Sequence, residues 1–202
     1  MGKVAIRSYD PTESLVFLKT KEAFGGLSNM ASGYPITVNG TLFLTSEALY
    51  QACRFPHLPE LQMLITSQTS PMTAKMKIKA HLPDSRKDWL RVRVRIMRWC
   101  IRCKLTQNWT KFSSLLESTG TLPIVEQSHK DKFWGAVPSD GKLVGANVLG
   151  RLLMELRDTV KNNPQIVEIE PPDVDDFLLF GKKICSVPFK EANDNFRIDS
   201  LF

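Results

Sequence analysis

Two periodicities run through the apolar positions of this chain, and they predict most of its elements. Projected at 100° per residue, "DWLRVRVRIMRWCIRCKLTQN", starting near Asp88, gathers Trp89, Val92, Ile96, Cys100 and Cys103 into one apolar stripe. Arg91, Arg95, Arg98 and Arg102 form a second stripe on roughly the opposite side, as expected of a long amphipathic helix. Asn147 to Arg157 repeats the pattern, with Leu149, Leu152, Leu153 and Leu156 on one face. Three shorter helices are expected. Ser46 would cap one running through "EALYQACRF", Pro59 opens another, and Ser70-Pro71 opens a third. Strand-like runs occur at Leu15–Leu18 and in "TLPIVEQS". Asn39-Gly40 inside "PITVNGTLFL" is a strong type I′ hairpin signal. "FGGLSNM" reads as a loop whose paired glycines could bring backbone close to a ligand. "DKFWGAVPSDGKLVGA" reads as a flexible turn that carries Asp131 and Trp134 to the start of the last helix. A mere connector has no need of a tryptophan.

The pattern changes after residue 161. Pro164, Pro171 and Pro172, followed by Asp173, Asp175 and Asp176, mark a break. "DFLLFGKKICSVPF" beyond it is apolar enough to pack back. The expected division is a domain over 1–161 and a C-terminal extension over 162–202. Of the 202 residues, 43% are apolar and 24% charged, which suffices for a globular core. No apolar run reaches the length of a membrane span, and the first 20 residues lack a signal-peptide segment, so a soluble cytoplasmic protein without membrane contact is expected. Charge divides unevenly. Residues 162–202 hold 4 basic and 8 acidic side chains, and residues 1–161 hold 23 and 13, a net +10. Such a basic body favours phosphorylated or polyanionic ligands.

Few residues stand out chemically on this basis. Cys53, Cys100, Cys103 and Cys185 lack a second paired motif, and His57, His81 and His129 are scattered, so core thiols and no metal or other cofactor are expected. The arginine stripe is either a solvated face or a contact for phosphates of DNA or RNA. Lys104 and Arg93 project beside the apolar stripe and must snorkel, pair or line a cavity; a desolvated lysine can become a nucleophile. Glu47 lies in a first helical turn, where the helix dipole alone favours a carboxylate. Asp131 could be only a turn residue. "GANVLG" lacks the features of a dinucleotide fingerprint.

The order of the blocks "FGGLSNM", "TSEALYQACRF", "SPMTAKM", "DWLRVRVRIMRWCIRCKLTQN", "LLESTGTLPIVEQSHKDKFWG" and "GANVLGRLLMELR" resembles the NADAR family, which includes the YbiA-like N-glycosidases. The similarity runs from about Val16 to Val160. It implies an α+β fold, a mostly α-helical compact single domain with a small β-hairpin or sheet. It also implies hydrolysis of ribose–nitrogen bonds, in two substrate classes. One is ADP-ribose attached to guanine in nucleic acid, the leading expectation. The other is phosphorylated ribosyl-pyrimidine intermediates of riboflavin synthesis.

Carried over by that resemblance, Glu47 and Asp131 match the family's acidic positions. Trp89, Trp134 and Gly135 match its pocket motifs, and Asn29, Asn147 and Arg157 its polar positions. Lys104 falls in a lysine–glutamine pattern that here reads Lys104-Leu105-Thr106-Gln107. Glycosidic cleavage passes through an oxocarbenium-like state, so Glu47 and Asp131 would supply negative charge and a proton. A rival route captures the opened ribose as a Schiff base on Lys104, or secondarily on Lys75. Trp89 or Trp134 would stack on a base or adenine, and the turn before Asn147 would offer N–H groups to a phosphate. A module that binds ADP-ribose or nucleic acid without catalysis is the remaining alternative. The oligomeric state is open.

Overall fold

A computed structural model describes residues 4–162 and 168–190. Pro164 and residues 191–202 lie outside the described residues. Six helices and several two- and three-stranded sheets make an α+β fold. The strands of the first half are β1 (Arg7–Tyr9), β2 (Leu15–Phe17), β3 (Ile36–Val38) and β4 (Thr41–Phe43). Helices α1 (Ser46–Ala52), α2 (Pro59–Thr66), α3 (Pro71–Lys77), α4 (Trp89–Gln107) and α5 (Trp109–Glu117) follow. Then come β5 (Ile124–Glu126), β6 (Val137–Ser139), β7 (Lys142–Gly145) and α6 (Val148–Asn162). The C-terminal segment forms β8 (Glu168–Ile169), β9 (Leu178–Leu179), β10 (Lys182–Lys183) and β11 (Val187–Pro188).

The long helix α4 is the spine. Its expected apolar stripe, Trp89, Val92, Ile96, Cys100 and Cys103, is buried throughout, and it packs on α1, α5 and α6. The four leucines of α6 are buried as their spacing predicts, each worth roughly 1.5–3 kcal/mol. Asn39 and Gly40 take φ values of 48° and 76°, the left-handed pair that a type I′ turn requires between β3 and β4. Gln107 holds the edge of that hairpin, accepting from the Thr37 N–H (2.7 Å) and donating to the Thr37 carbonyl (2.9 Å).

Several details differ from the sequence expectations. Thr45, not Ser46, caps α1: its hydroxyl accepts from the Ala48 N–H, while Ser46 Oγ turns to the Asn29 carbonyl. The supposed flexible turn after Gly135 is a tight hairpin, β6 and β7, with Asp140 and Gly141 at φ 49° and 75°. Its far strand also pairs with β1, an element the sequence did not suggest. Helix α5 was likewise unforeseen, because a single residue separates it from α4. Cys53, Cys100 and Cys103 are buried, and burial pushes the Cys100 and Cys103 thiols up, but Cys185 is exposed. No described helix is long and apolar enough to cross a membrane.

The C-terminal segment is fastened by polar as well as apolar contacts. Ile169, Phe177, Leu179, Ile184 and Val187 join the core. The wholly buried Gln62 donates to the Ala52 and Leu178 carbonyls and accepts from the Phe180 N–H. Arg86 and Arg95 donate to the Asp175 and Asp173 carbonyls at 2.6 and 2.8 Å. The 173–176 segment is thus held to the body through its backbone carbonyls.

Asn147 joins α6 to β5. It is fully buried with φ 47°; its Nδ2 donates to the Ile124 carbonyl (2.8 Å) and its Oδ1 accepts from the Glu126 N–H (3.0 Å). Asn147→Ala strands both backbone groups and should cost roughly 2–4 kcal/mol. Thermal denaturation should show the midpoint lower by about 5–10 °C; an unchanged midpoint would refute this role.

Candidate active site

The site is assembled where α1, the end of β5, the 131–135 loop and α3 converge. Glu47 is presented by the first turn of α1, whose own N–H donates to the Asn29 carbonyl (3.0 Å). Its Oε1 accepts from Gln51 Nε2 at 2.9 Å, one helical turn on, and lies 3.8 Å from Lys75 Nζ. Lys75 comes from α3 and is half exposed, whereas Glu47 is almost covered.

Glu126, the last residue of β5, was missed in the sequence. Burial, then the negative charges of Glu47 and Asp131, push its carboxyl up to about 7, with Lys75 opposing. Glu126 thus lies within electrostatic reach of Glu47, Asp131 and Lys75, which come from three other segments. The signal lay within "TLPIVEQS", but an acid at a strand end has no periodic signature.

Asp131 forms the loop as well as charging it. Its Oδ1 accepts from the Phe133 and Trp134 N–H groups at 2.8 and 2.9 Å. The loop so shaped points its carbonyls at the start of α6. Lys132, Phe133, Trp134 and Gly135 carbonyls accept from Ala146, Val148, Leu149 and Asn147 N–H groups, at 2.7 to 3.1 Å. The expected phosphate seat at this helix start is thus occupied by the protein itself. Gly135 is required by close packing: a Cβ there would meet the Glu126 carbonyl oxygen at 2.5 Å.

An aromatic row lies beside the carboxylates. Trp89 and Tyr50 are 4.9 Å apart, Tyr50 and Trp134 5.7 Å, and Trp134 and Phe133 5.1 Å. Trp89 is buried behind Tyr50 and so is no open stacking platform; Trp134 and Phe133 are partly exposed. Arg54 stacks on Trp89 at one end, and Arg93 on Phe133 at the other.

Other expected site residues support this arrangement from behind. Asn29 is buried, donating to Met97 Sδ (3.0 Å), with its carbonyl holding the start of α1. Arg157 is buried and donates to Thr119 Oγ1 and the Leu122 carbonyl, both at 2.9 Å, ahead of β5. With Asn147, these buried residues bind other parts of the protein: Asn147 and Arg157 reach backbone carbonyls, and Asn29 reaches the side chains of Met97 and Ser46.

Lys104 also departs from expectation. It is 1% exposed, donates to the Gly26 and Ser28 carbonyls at 2.5 and 3.1 Å, and sits over the Tyr34 and Phe112 rings. Burial, helped by Lys111, lowers its pKa to about 7, yet nothing at the Glu47 cluster touches it. It clamps the "FGGLSNM" loop. The paired glycines of that loop serve the same packing, since a Cβ on Gly25 would strike Thr20 and one on Gly26 the Tyr34 hydroxyl. The arginine stripe is engaged as well: Arg98 forms a two-point pair with Glu155 (2.9 and 3.1 Å), Arg91 meets Asp88, and Arg95 holds Asp173.

Comparison with known proteins identifies the chain's relatives. The NADAR domain family matches residues 16–161. The chain is 34% identical over 142 residues to the N-glycosidase YbiA of Escherichia coli, across 70% of this chain and 85% of the relative. It is 32% identical over 160 residues to a riboflavin biosynthesis protein of Vibrio vulnificus, across 78% of this chain but only 41% of that protein. The NMR structure of Escherichia coli YbiA superposes with a TM-score of 0.62 at 29% identity, covering 75% of this chain and 90% of that one. With most of its length matched and the fold shared, the chain belongs to the NADAR family.

Proposed function

We propose that this protein hydrolyses the bond between ribose C1 and a nitrogen of the base in a small phosphorylated riboside. The observation that carries the reading is the pair Glu47 and Glu126. One carboxylate has an ammonium partner, and the other is pushed up to about 7 beside it. An acid that keeps its proton up to about 7, beside a second carboxyl with an ammonium partner, suits acid-assisted glycosidic cleavage. In this mechanism Glu126 gives its proton to the departing nitrogen as the C1–N bond breaks, and Glu47 stabilises the positive charge left on the sugar. Water then attacks C1, and its proton returns to Glu126. Trp134 flanks the heterocycle. The YbiA and Vibrio relatives, named for N-glycosidase activity and riboflavin biosynthesis, support a ribosyl-pyrimidine phosphate as substrate.

A test is release of free base from ribosylaminopyrimidine phosphate, followed by liquid chromatography. Glu47→Gln and Glu126→Gln should each lower kcat by about a hundredfold or more. Wild-type activity should fall as pH rises through about 7, with the proton of Glu126, and Glu126→Gln should lack that limb. Stability gives an independent readout. The folded-state pKa is raised, so the group's favourable contribution is present at low pH and lost through about 7. Glu126→Gln should therefore exceed the wild type in stability above pH 7 by roughly 1–3 kcal/mol, with the gap closing near pH 4. An inactive variant without that crossover would remove Glu126 as the proton source.

The lysines should separate by readout. Lys75→Gln is expected to lower kcat with little change in midpoint. Lys104→Met should lower the melting point by several degrees, because it leaves two buried carbonyls unpaired. Should borohydride reduction during turnover attach ribose to Lys75, the Schiff-base route replaces direct hydrolysis.

A second reading, removal of ADP-ribose from guanine in nucleic acid, is favoured by one observation. Lys75, Lys77 and Lys79 are exposed in succession from α3 onward, and Lys75 meets Glu47. On that reading Lys77→Gln with Lys79→Gln should raise KM for modified DNA and flatten its salt dependence. Arg95→Gln with Arg98→Gln should do neither. Identical handling of DNA by all variants would leave the small riboside alone.

A further inference from the structure

Arg54 and Arg93 are the unassigned cations of the site. Neither has a carboxylate within salt-bridge distance among the described residues. Arg54 donates Nε to Ser85 Oγ at 2.6 Å and lies 4.9 Å above Trp89. Arg93 lies 3.6 Å above Phe133, and its buried Nε has no partner. Both charges reach Tyr50, and they oppose each other. Stacking fixes a guanidinium plane while leaving its edge N–H groups available, and it offers only part of the charge compensation that an anion gives. Two partly buried guanidiniums on one aromatic row thus have no carboxylate in ion-pair contact among the described residues; Glu47, which meets Lys75, acts on Arg54 only at longer range.

We infer that Arg54 and Arg93 form an anion clamp that binds the phosphate of the substrate, so that the site selects phosphorylated over free ribosides. The inference rests on the proposed glycosidase activity for its kinetic arm only. Both guanidiniums act on Tyr50, in the middle of the row, and on each other, so one charged ester beside Tyr50 lies within reach of both charges. Charge-assisted bonds from arginine to phosphate are strong and often paired, so loss of either should be felt mainly in binding.

The experiment compares a ribosyl-pyrimidine phosphate with its dephosphorylated twin in wild type, Arg54→Gln, Arg93→Gln and Arg93→Lys. We expect KM for the phosphate to rise about tenfold or more in both glutamine variants. KM for the twin should change less than about threefold, and Arg93→Lys should recover part of the loss because charge is kept. Pyrophosphate titrated against tryptophan fluorescence gives a second, activity-free arm, in which saturable quenching in wild type should weaken in each glutamine variant. Equal losses on both substrates, or undiminished pyrophosphate binding in the variants, overturns the clamp. If wild type cleaves neither riboside, the glycosidase reading fails and the pyrophosphate arm still decides the clamp. Where a glutamine variant melts early, Arg93→Lys and the surviving variant decide it.

Discussion

The first turn of α6 must find acceptors for its backbone N–H groups, and the way it finds them organises the whole site. Buried helix starts leave donors that cost free energy if unpaired. Here the carbonyls of Lys132 to Gly135 take them, which forces the 131–135 chain to fold back over the helix. That path makes Asp131 close the loop through two backbone N–H groups and leaves Trp134 beside Tyr50. It also leaves no room for a side chain at Gly135, where the loop touches the Glu126 carbonyl. Asn147 completes the joint from the other side by pairing with both ends of β5. A tryptophan in an apparent connector is thereby explained: the connector is a cap that also forms a wall of the site.

The strong periodicities were legible and the non-periodic joints were not. The stripes of α4 and α6, the Asn39-Gly40 hairpin and the proline-opened helices were all readable, because burial of one helix face and left-handed turn residues leave local marks. Glu47, Asp131 and Trp134 came from family resemblance, and the structure brings them together. What the sequence could not convey was which polar residues face backbone. Asn147, Arg157 and Lys104 are the residues of that kind, and each is nearly or wholly buried. A polar side chain that satisfies a buried carbonyl and one that meets a ligand look alike in one dimension. Glu126 failed for the opposite reason, since its importance comes from charges 79 residues earlier, at Glu47, and five residues later, at Asp131.

The two lysines illustrate how neighbours decide a role. Lys104 has a lowered pKa, the property sought in a nucleophile, but its nitrogen is enclosed by two carbonyls and two rings. An amine so enclosed cannot reach a sugar without dismantling the 26–28 loop. Gln107, one turn away, does the same service for β3. The lysine–glutamine spacing is therefore a pair of backbone clamps one helical turn apart, both aimed at the segment that precedes α1. Lys75 has an ordinary surface position and the contact that counts, to Glu47.

Charge balance explains why Glu126 can keep a proton near neutral pH. Lys75 lies near Glu47, and its effect on Glu126 is the smallest of the causes acting there. Burial and two negative neighbours then act on Glu126 with little to oppose them. Moving the ammonium to Glu126 would lower its proton affinity, and removing Asp131 would do so too without abolishing burial, the larger cause. The loop that caps α6 thus does chemical work at a distance. By fixing where Asp131 places its charge, a backbone requirement at the start of a helix helps to set the proton affinity of a carboxyl on the neighbouring strand.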